Sequence, residues 1–271
     1  MSALLETTAL RAGYGAVEIV RGIDVRVEPG QVVAVLGPNG AGKTTTLLTL
    51  AGELEPLGGD VDVLGHQGRT PLHVLARSGL ALVTQERAVL MNLTASENLR
   101  VSRCDVGRAL ELFPELEPHL GRRVGLLSGG QQQMLALARG LARRPRLLLV
   151  DELSLGLAPL VVERLLGVVR AAADEGVGVL LVEQHVHKAM DVADRVLVMR
   201  RGAIVLAGRA DELRDRTDEI RDAYLSTTEP GGPNGDDTTP ATTADQVLPG
   251  DAHGGAHRLR LRLRRRQGRQ R

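Results

Sequence analysis

Between an aliphatic run, Val32–Leu36, and a stretch that reads as helix, Thr44–Ala51, the chain carries Gly37-Pro38-Asn39-Gly40-Ala41-Gly42-Lys43-Thr44-Thr45. No other feature restricts the fold as much. A strand that ends in Gly-x-x-x-x-Gly-Lys-Thr and turns directly into a helix is the start of a parallel βαβ unit. Its glycines let the backbone wrap with N–H groups facing inward, which makes a cradle for phosphate oxygens. The helix start adds partial positive charge. Lys43 adds a full cation for the β- and γ-oxygens, and the Thr44 hydroxyl suits Mg²⁺. Lys43 and Lys188 are the only lysines among 34 basic residues, so one of two falls where the loop needs it.

The remaining pattern extends that unit. Leu80–Val83, Leu147–Val150 and Val177–Val182 are apolar runs of strand length with no polar residue to face water, as in strands covered on both faces. They alternate with helix-like Leu160–Ala173 and His187–Ala193. This order predicts an α/β fold, a P-loop NTPase core with a mainly parallel sheet and flanking helices. Val17–Val20, Ile23–Val27 and Asp60–Leu64, punctuated by Pro29-Gly30, Gly58-Gly59 and Gly65, predict an antiparallel β portion in the N-terminal part. Residues 95–142 read mostly as helix with breaks at Pro114 and Pro118, and Val196–Met199 with Ala203–Leu206 reads as a late hairpin. With no Trp, one Phe and two Tyr, the core must be aliphatic.

Beyond about Ser226 the composition changes. Residues 227–256 are mostly Thr, Pro, Gly, Asp and Ala, and eight arginines fall within 258–271. Such a segment buries too little apolar surface to offset its ordering entropy. The expected division is therefore one folded domain with the phosphate loop over 1–226 and a disordered tail over 227–271 with an Arg-rich end. The net charge of +1 gives no strong field for nucleic acid or membrane. Cys104 is the only cysteine, which fits a reduced setting. The first residues show no basic-then-apolar leader. No apolar run reaches the roughly 18–20 residues that span a bilayer, so if the chain serves transport, other chains form the pore.

Two more segments bear on chemistry. Leu147–Val150 runs into Asp151-Glu152, and a buried strand does not end in paired acids without partners, because burying charge is costly. Asp151 suits the shell of Mg²⁺, and Glu152 suits orienting or deprotonating a water in line with a γ-phosphate. Leu127-Ser128-Gly129-Gly130-Gln131 precedes the helix Gln132–Ala142. Ser128 is a good N-cap, and the glycines leave N–H groups open to an anion. Taken alone, that pentapeptide fits a plain helix cap as well as an anion site.

Together, in this order over residues 4 to about 226, these segments resemble the ATP-binding cassette ATPases. The resemblance implies ATP and Mg²⁺ as ligands. It also implies a composite site in which Ser128 and Gly130 of one subunit, with Gly129 and Gln131 beside them, contact the γ-phosphate held by the other subunit's Gly37–Thr45 loop. It assigns Tyr14, in Gly13-Tyr14-Gly15, to stacking on adenine, and Gln85 to Mg²⁺ and water. Residues from about 88 to 140 become a helical subdomain that touches a membrane partner. The implied partners are a second ATPase subunit, identical or not, integral membrane permease subunits, and an extracytoplasmic solute-binding protein. No nucleic acid is expected. The implied place is the cytoplasmic face of the cell membrane, held through the permease.

Two departures stand out. The family usually has Pro after the Asp-Glu pair, and here it is Leu153. The switch position after the strand at 177–182 is usually His. Counting back from Ala193-Asp194-Arg195 places Gln184 there, with His185 one residue later. Ser154-Leu155-Gly156-Leu157-Ala158-Pro159 with Val182-Glu183-Gln184 looks like the ATPases of branched-chain amino-acid and amide importers, a subgroup with Glu-Gln at the switch. The competing reading is a soluble cassette ATPase acting on ribosomes or nucleic acid. Such proteins generally carry two cassettes or a long coiled-coil insertion, and this chain has neither. An ordinary P-loop kinase would leave residues 127–131 unexplained.

Overall fold

A computed structural model describes residues 2–86, 88–214, 216, 219, 220 and 222. The expected tail over 227–271, with its Arg-rich end, lies outside the described residues. Two sheets organise the rest. The first is antiparallel, in the order β2 (Val17–Ile23), β1 (Leu5–Tyr14), β5 (Pro56–Val63), β6 (His66–Gln67), with β3 (Arg26–Val27) also on β1. The second has the order β11 (Ala203–Arg209), β10 (Arg195–Arg200), β4 (Val32–Leu36), β9 (Gly178–Glu183), β8 (Leu147–Asp151), β7 (Leu80–Val83). Every pairing in it is parallel except β10 with β11. The α/β expectation and the late hairpin both hold.

The central parallel strands β4, β7, β8 and β9 are almost wholly aliphatic up to the acids that end β8 and β9, because both their faces are covered. Val32, Ala34 and Leu36 of β4 and Leu148 and Val150 of β8 enter one core. It also contains Leu135 and Leu137 of α5 (Gly129–Leu141) and Val162 and Leu165 of α6 (Pro159–Asp174). Val33, Val35, Leu147 and Leu149 point the other way, into a core shared with Leu5, Leu10 and Val20 of the antiparallel sheet and Leu47 and Leu50 of α1 (Lys43–Leu50). Successive residues of a strand face opposite sides, so one tetrapeptide supplies both layers. Each fully buried aliphatic side chain contributes about 1.5–3 kcal/mol relative to exposure.

The stretch expected to be mostly helix is more broken than the sequence pattern suggests. It holds α3 (Ala95–Val101), α4 (Val106–Leu112) and α5, with two 3₁₀ turns, Pro114–His119 and Val124–Leu126, between α4 and α5. Each α-helix begins at its own cap. Thr94 accepts from the Glu97 N–H, Asp105 from Arg108, and Ser128 from Gln131. Three such starts within this stretch exclude one long helix. Phe113, the sole Phe, is fully buried between α4 and the first 3₁₀ turn. Short α2 (Leu72–Arg77), α7 (Val186–Met190) and α8 (Ala210–Arg214) complete the elements. Among the described residues, no helix is long and apolar enough to cross a membrane.

Candidate active site

The phosphate loop leaves β4 at the carboxyl edge of the parallel sheet, where open α/β sheets bind ligands. Two of its glycines are fixed by geometry. A Cβ on Gly37 would lie 2.2 Å from the Met199 carbonyl oxygen of β10, so the loop lies too close to that strand for any side chain. Gly42 has φ 106°, which L-residues rarely adopt, and it starts α1. Lys43 is only 4% exposed, and its Nζ donates to the carbonyls of Gly37 at 2.8 Å and Pro38 at 3.2 Å. Its ammonium thus sits inside the loop that a phosphate would occupy.

The acids expected at the end of β8 meet this loop. The Thr44 hydroxyl donates to Asp151 Oδ1 at 3.4 Å, and Lys43 Nζ lies 3.6 Å from Glu152 Oε1. Adjacent acids in a regular strand would face opposite ways. They reach adjacent residues of α1 because Glu152 is in the left-handed region, φ 48°, with its N–H donated to the Val182 carbonyl at 2.9 Å. A non-glycine residue held so carries strain that the surroundings must overcome, as often occurs at functional sites. Burial pushes the Asp151 carboxyl above its ordinary range, opposed by the Thr44 hydrogen bond and raised further by the nearby Glu152 charge.

A cavity of about 490 Å³ opens over the loop. Tyr14, Asn39, Gly40, Gly42, Lys43, Thr44, Thr45, Gln85 and Glu152 all line it. Tyr14 is half exposed at this cavity. The structure therefore brings the expected adenine, phosphate and base residues to one place. Gly37, Pro38 and Ala41 complete the loop, and Ala41 is buried.

The residues Ser128, Gly129, Gly130 and Gln131 are not among the lining of that cavity. They form the start of α5, where Ser128 Oγ accepts from the Gln131 N–H at 3.2 Å and Gln131 Oε1 accepts from the Ser128 N–H at 2.9 Å. Gln131 Nε2 also lies 2.8 Å from His119 Nε2. Gly130 packs on α6, where an added Cβ would sit 3.0 Å from Val161. The pentapeptide is a full capping box, and none of its residues lines the cavity over its own chain's phosphate loop.

Gln184 and His185 also lie outside the cavity lining. The Gln184 N–H donates to Glu183 Oε2 at 3.3 Å, and His185 Nδ1 lies 2.9 Å from Ser154 Oγ. His187 is exposed on α7, as a surface residue. Glu183 and Ser154 lie in the segments that resemble the importer subgroup, and that resemblance attaches no role to either. The signal was available, since Glu183 is an acid at the end of an all-aliphatic buried strand, the same logic that singled out Asp151. Arg139 is a second residue that no sequence motif singles out. From α5 it donates to the Ala88 carbonyl at 2.7 Å and to Ser102 Oγ at 2.5 Å, tying the loop after Gln85 to the end of α3.

Comparison with known proteins agrees with this geometry. The "ABC transporter" family model matches residues 20–154. The chain is 37% identical over 222 residues to the high-affinity branched-chain amino acid transport ATP-binding protein BraG of Pseudomonas aeruginosa, covering 78% of this chain and 95% of that one. It is 33% identical to the lipopolysaccharide export system ATP-binding protein LptB of Acidithiobacillus ferridurans, covering 83% and 98%. Its fold is similar to the ADP conformation of MJ1267, an ATP-binding cassette of an ABC transporter, with TM-score 0.72 at 23% identity over 82% of this chain and 99% of that one. With the phosphate loop, the paired acids and the capped α5 all in place, the chain belongs to the ABC transporter family as an ATP-binding cassette ATPase.

Proposed function

We propose that this chain is one of two ATPase subunits that drive a membrane importer of branched-chain amino acids or related small polar solutes. The observation that carries the reading is the division of the site. Tyr14, Lys43, Thr44, Gln85 and Glu152 share one cavity, while Ser128–Gln131 cap α5 outside it. A second chain supplying its own Ser128 segment would complete the cavity, with ATP between the two.

Within the site, Lys43 trades the Gly37 and Pro38 carbonyls for the β- and γ-oxygens, and Tyr14 offers its ring to adenine. Glu152, released from Lys43, takes the proton of the attacking water. Gln184 donates its amide to a γ-oxygen without carrying charge. Thr44, Asp151 and Gln85 offer only oxygen donors, the set that Mg²⁺ prefers. A buried Asp151 held above its ordinary range gains a counter-charge from a cation, so these residues would hold the ion. Bound there, Mg²⁺ would neutralise charge on the phosphate oxygens.

Similarity to BraG and the Ser154–Pro159 and Glu183-Gln184 segments support the import reading and its substrate class. Permease subunits would dock on the helical subdomain over about 88–140, beside a groove of about 540 Å³ between that subdomain and the edge strand β7, whose lining includes Arg77, Arg139 and Arg143 and suits an acidic segment. The complex would lie on the cytoplasmic face of the membrane and take its solute from an extracytoplasmic binding protein. The test is to purify the tagged chain from membranes and measure leucine uptake with and without it. Two multi-helix membrane proteins in the complex and uptake lost on deletion are expected. Co-purified ribosomes with unchanged uptake would overturn the reading.

A further inference from the structure

We propose that Glu183 is a positioning residue for ATP hydrolysis: through Ser154 it fixes the tautomer and orientation of His185 and ties the loop after Glu152 to the segment that carries Gln184.

Glu183 is 1% exposed and Ser154 5%. Glu183 Oε1 accepts the Ser154 N–H at 3.0 Å. Its Oε2 accepts the Gln184 N–H at 3.3 Å and lies 2.6 Å from Ser154 Oγ, which in turn is 2.9 Å from His185 Nδ1. The serine hydroxyl has one proton to give. Burial raises the Glu183 carboxyl above its ordinary range, opposed by these hydrogen bonds; each carboxyl oxygen already accepts a backbone N–H, which favours the ionised acid, and 2.6 Å is the usual length for a hydroxyl bonded to a carboxylate. The hydroxyl proton therefore goes to Glu183. The Ser154 lone pair then faces His185, and His185 must carry its hydrogen on Nδ1. Its Nε2 is left as the free ring nitrogen. The direction of proton donation runs from His185 to Ser154 to Glu183.

Placement makes this chain of bonds relevant to the reaction. Ser154 lies two residues after Glu152, and β8 and β9 are paired directly, Asp151 with Val182. The same strand end that holds the strained Glu152 backbone through the Val182 carbonyl also holds Ser154 through Glu183. A buried carboxylate is costly, and an apolar side chain would fill a strand end with less penalty. What the carboxylate adds is direction: it accepts three hydrogen bonds from two loops that must keep a fixed relation.

The test uses the full chain with ¹⁵N-labelled histidine, its His185 resonance assigned through His185→Ala, at a pH above the usual imidazole range. Wild type is expected to show His185 protonated on Nδ1. Ser154→Ala and Glu183→Gln are expected to move it toward the Nε2–H form. In steady state, Ser154→Ala is expected to lower kcat roughly tenfold, as for loss of one hydrogen bond to a charged group, with KM for ATP within about twofold. Ser154→Thr, which keeps the hydroxyl, restores it. In a His185→Ala background, Ser154→Ala adds little. Ser154→Ala removes one atom, so it carries the test even if Glu183→Gln fails to fold. A wild-type His185 protonated on Nε2, an unchanged tautomer in Ser154→Ala, or strictly additive losses would overturn the proposal.

Discussion

Strands β8 and β9 are neighbours, fully buried and aliphatic, and both end in acid at the same edge of the sheet. At β8 the acids meet the charged start of α1: Asp151 reaches the Thr44 hydroxyl and Glu152 the Lys43 ammonium, beside an open cavity. At β9 the acid turns inward, and Glu183 takes three hydrogen bonds, two from Ser154 and one from the Gln184 N–H. Burial raises both Asp151 and Glu183 above their ordinary ranges. The difference lies in the partners. An acid facing a lysine and a cavity can exchange partners when a substrate arrives, whereas one saturated by hydroxyl and amide groups can only hold its surroundings.

Exchanging acid for amide at the two ends is the sharpest way to break this comparison. Glu152→Gln is expected to keep ATP affinity and cut hydrolysis by about 10²–10⁴-fold, the range for a positioned base; near-normal single-turnover rates would remove Glu152 from that role. Gln184→Ala is expected to cost more turnover than His185→Ala, and wild type and His185→Ala are expected to share the same pH–rate profile shape, because a neutral amide does not titrate near neutrality. Loss of turnover in His185→Ala alone would make His185 the switch.

Asp151→Asn probes the energetics of the same edge. An acid whose value is raised on folding stabilises the fold only while protonated, so that contribution is lost as pH rises from the ordinary aspartate range, about pH 4, through the raised value. At neutral pH the nucleotide-free Asp151→Asn variant is therefore expected to melt higher, by about 2–4 °C if the relief is worth about 1 kcal/mol. A lower Tm at neutral pH would show that Asp151 stabilises the empty site. The smallest effect is expected from truncation after Ser226: unchanged cooperative unfolding and basal ATPase activity. Loss of cooperativity would show that residues 227–271 pack on the domain.

What the sequence made legible follows the same division. Leu80–Val83 and the strand at 147 are correct nearly to the residue, because continuous aliphatic runs bounded by turn residues have few other solutions. The long β1 gives no clean strand signal in sequence. It is interrupted by a left-handed Ala9 and by register shifts against both neighbours, which destroy the period-two pattern. Helix α2 is one short turn-and-a-half without a capping side chain and left no periodic signal. The phosphate-loop half of the site could be read because local spacing encodes it. Glu183 is legible by the same logic as Asp151, as an acid ending a buried strand, but its contact with Ser154 is not, because that contact spans 29 residues and depends on strand pairing.

The central claim is that two chains build each site, and a mixing experiment tests it most directly. Lys43→Ala disables a chain's own phosphate loop, and Ser128→Arg disables the segment it offers to its partner. Each variant alone is expected to be inactive. If the segment acts across the dimer, both lesions of a mixed dimer fall in one site and the other site is wild type. An equal mixture then recovers on the order of a quarter of wild-type ATPase activity for randomly formed symmetric pairs. A mixture that stays inactive while mixed dimers form, or full activity from diluted monomers, would contradict the account.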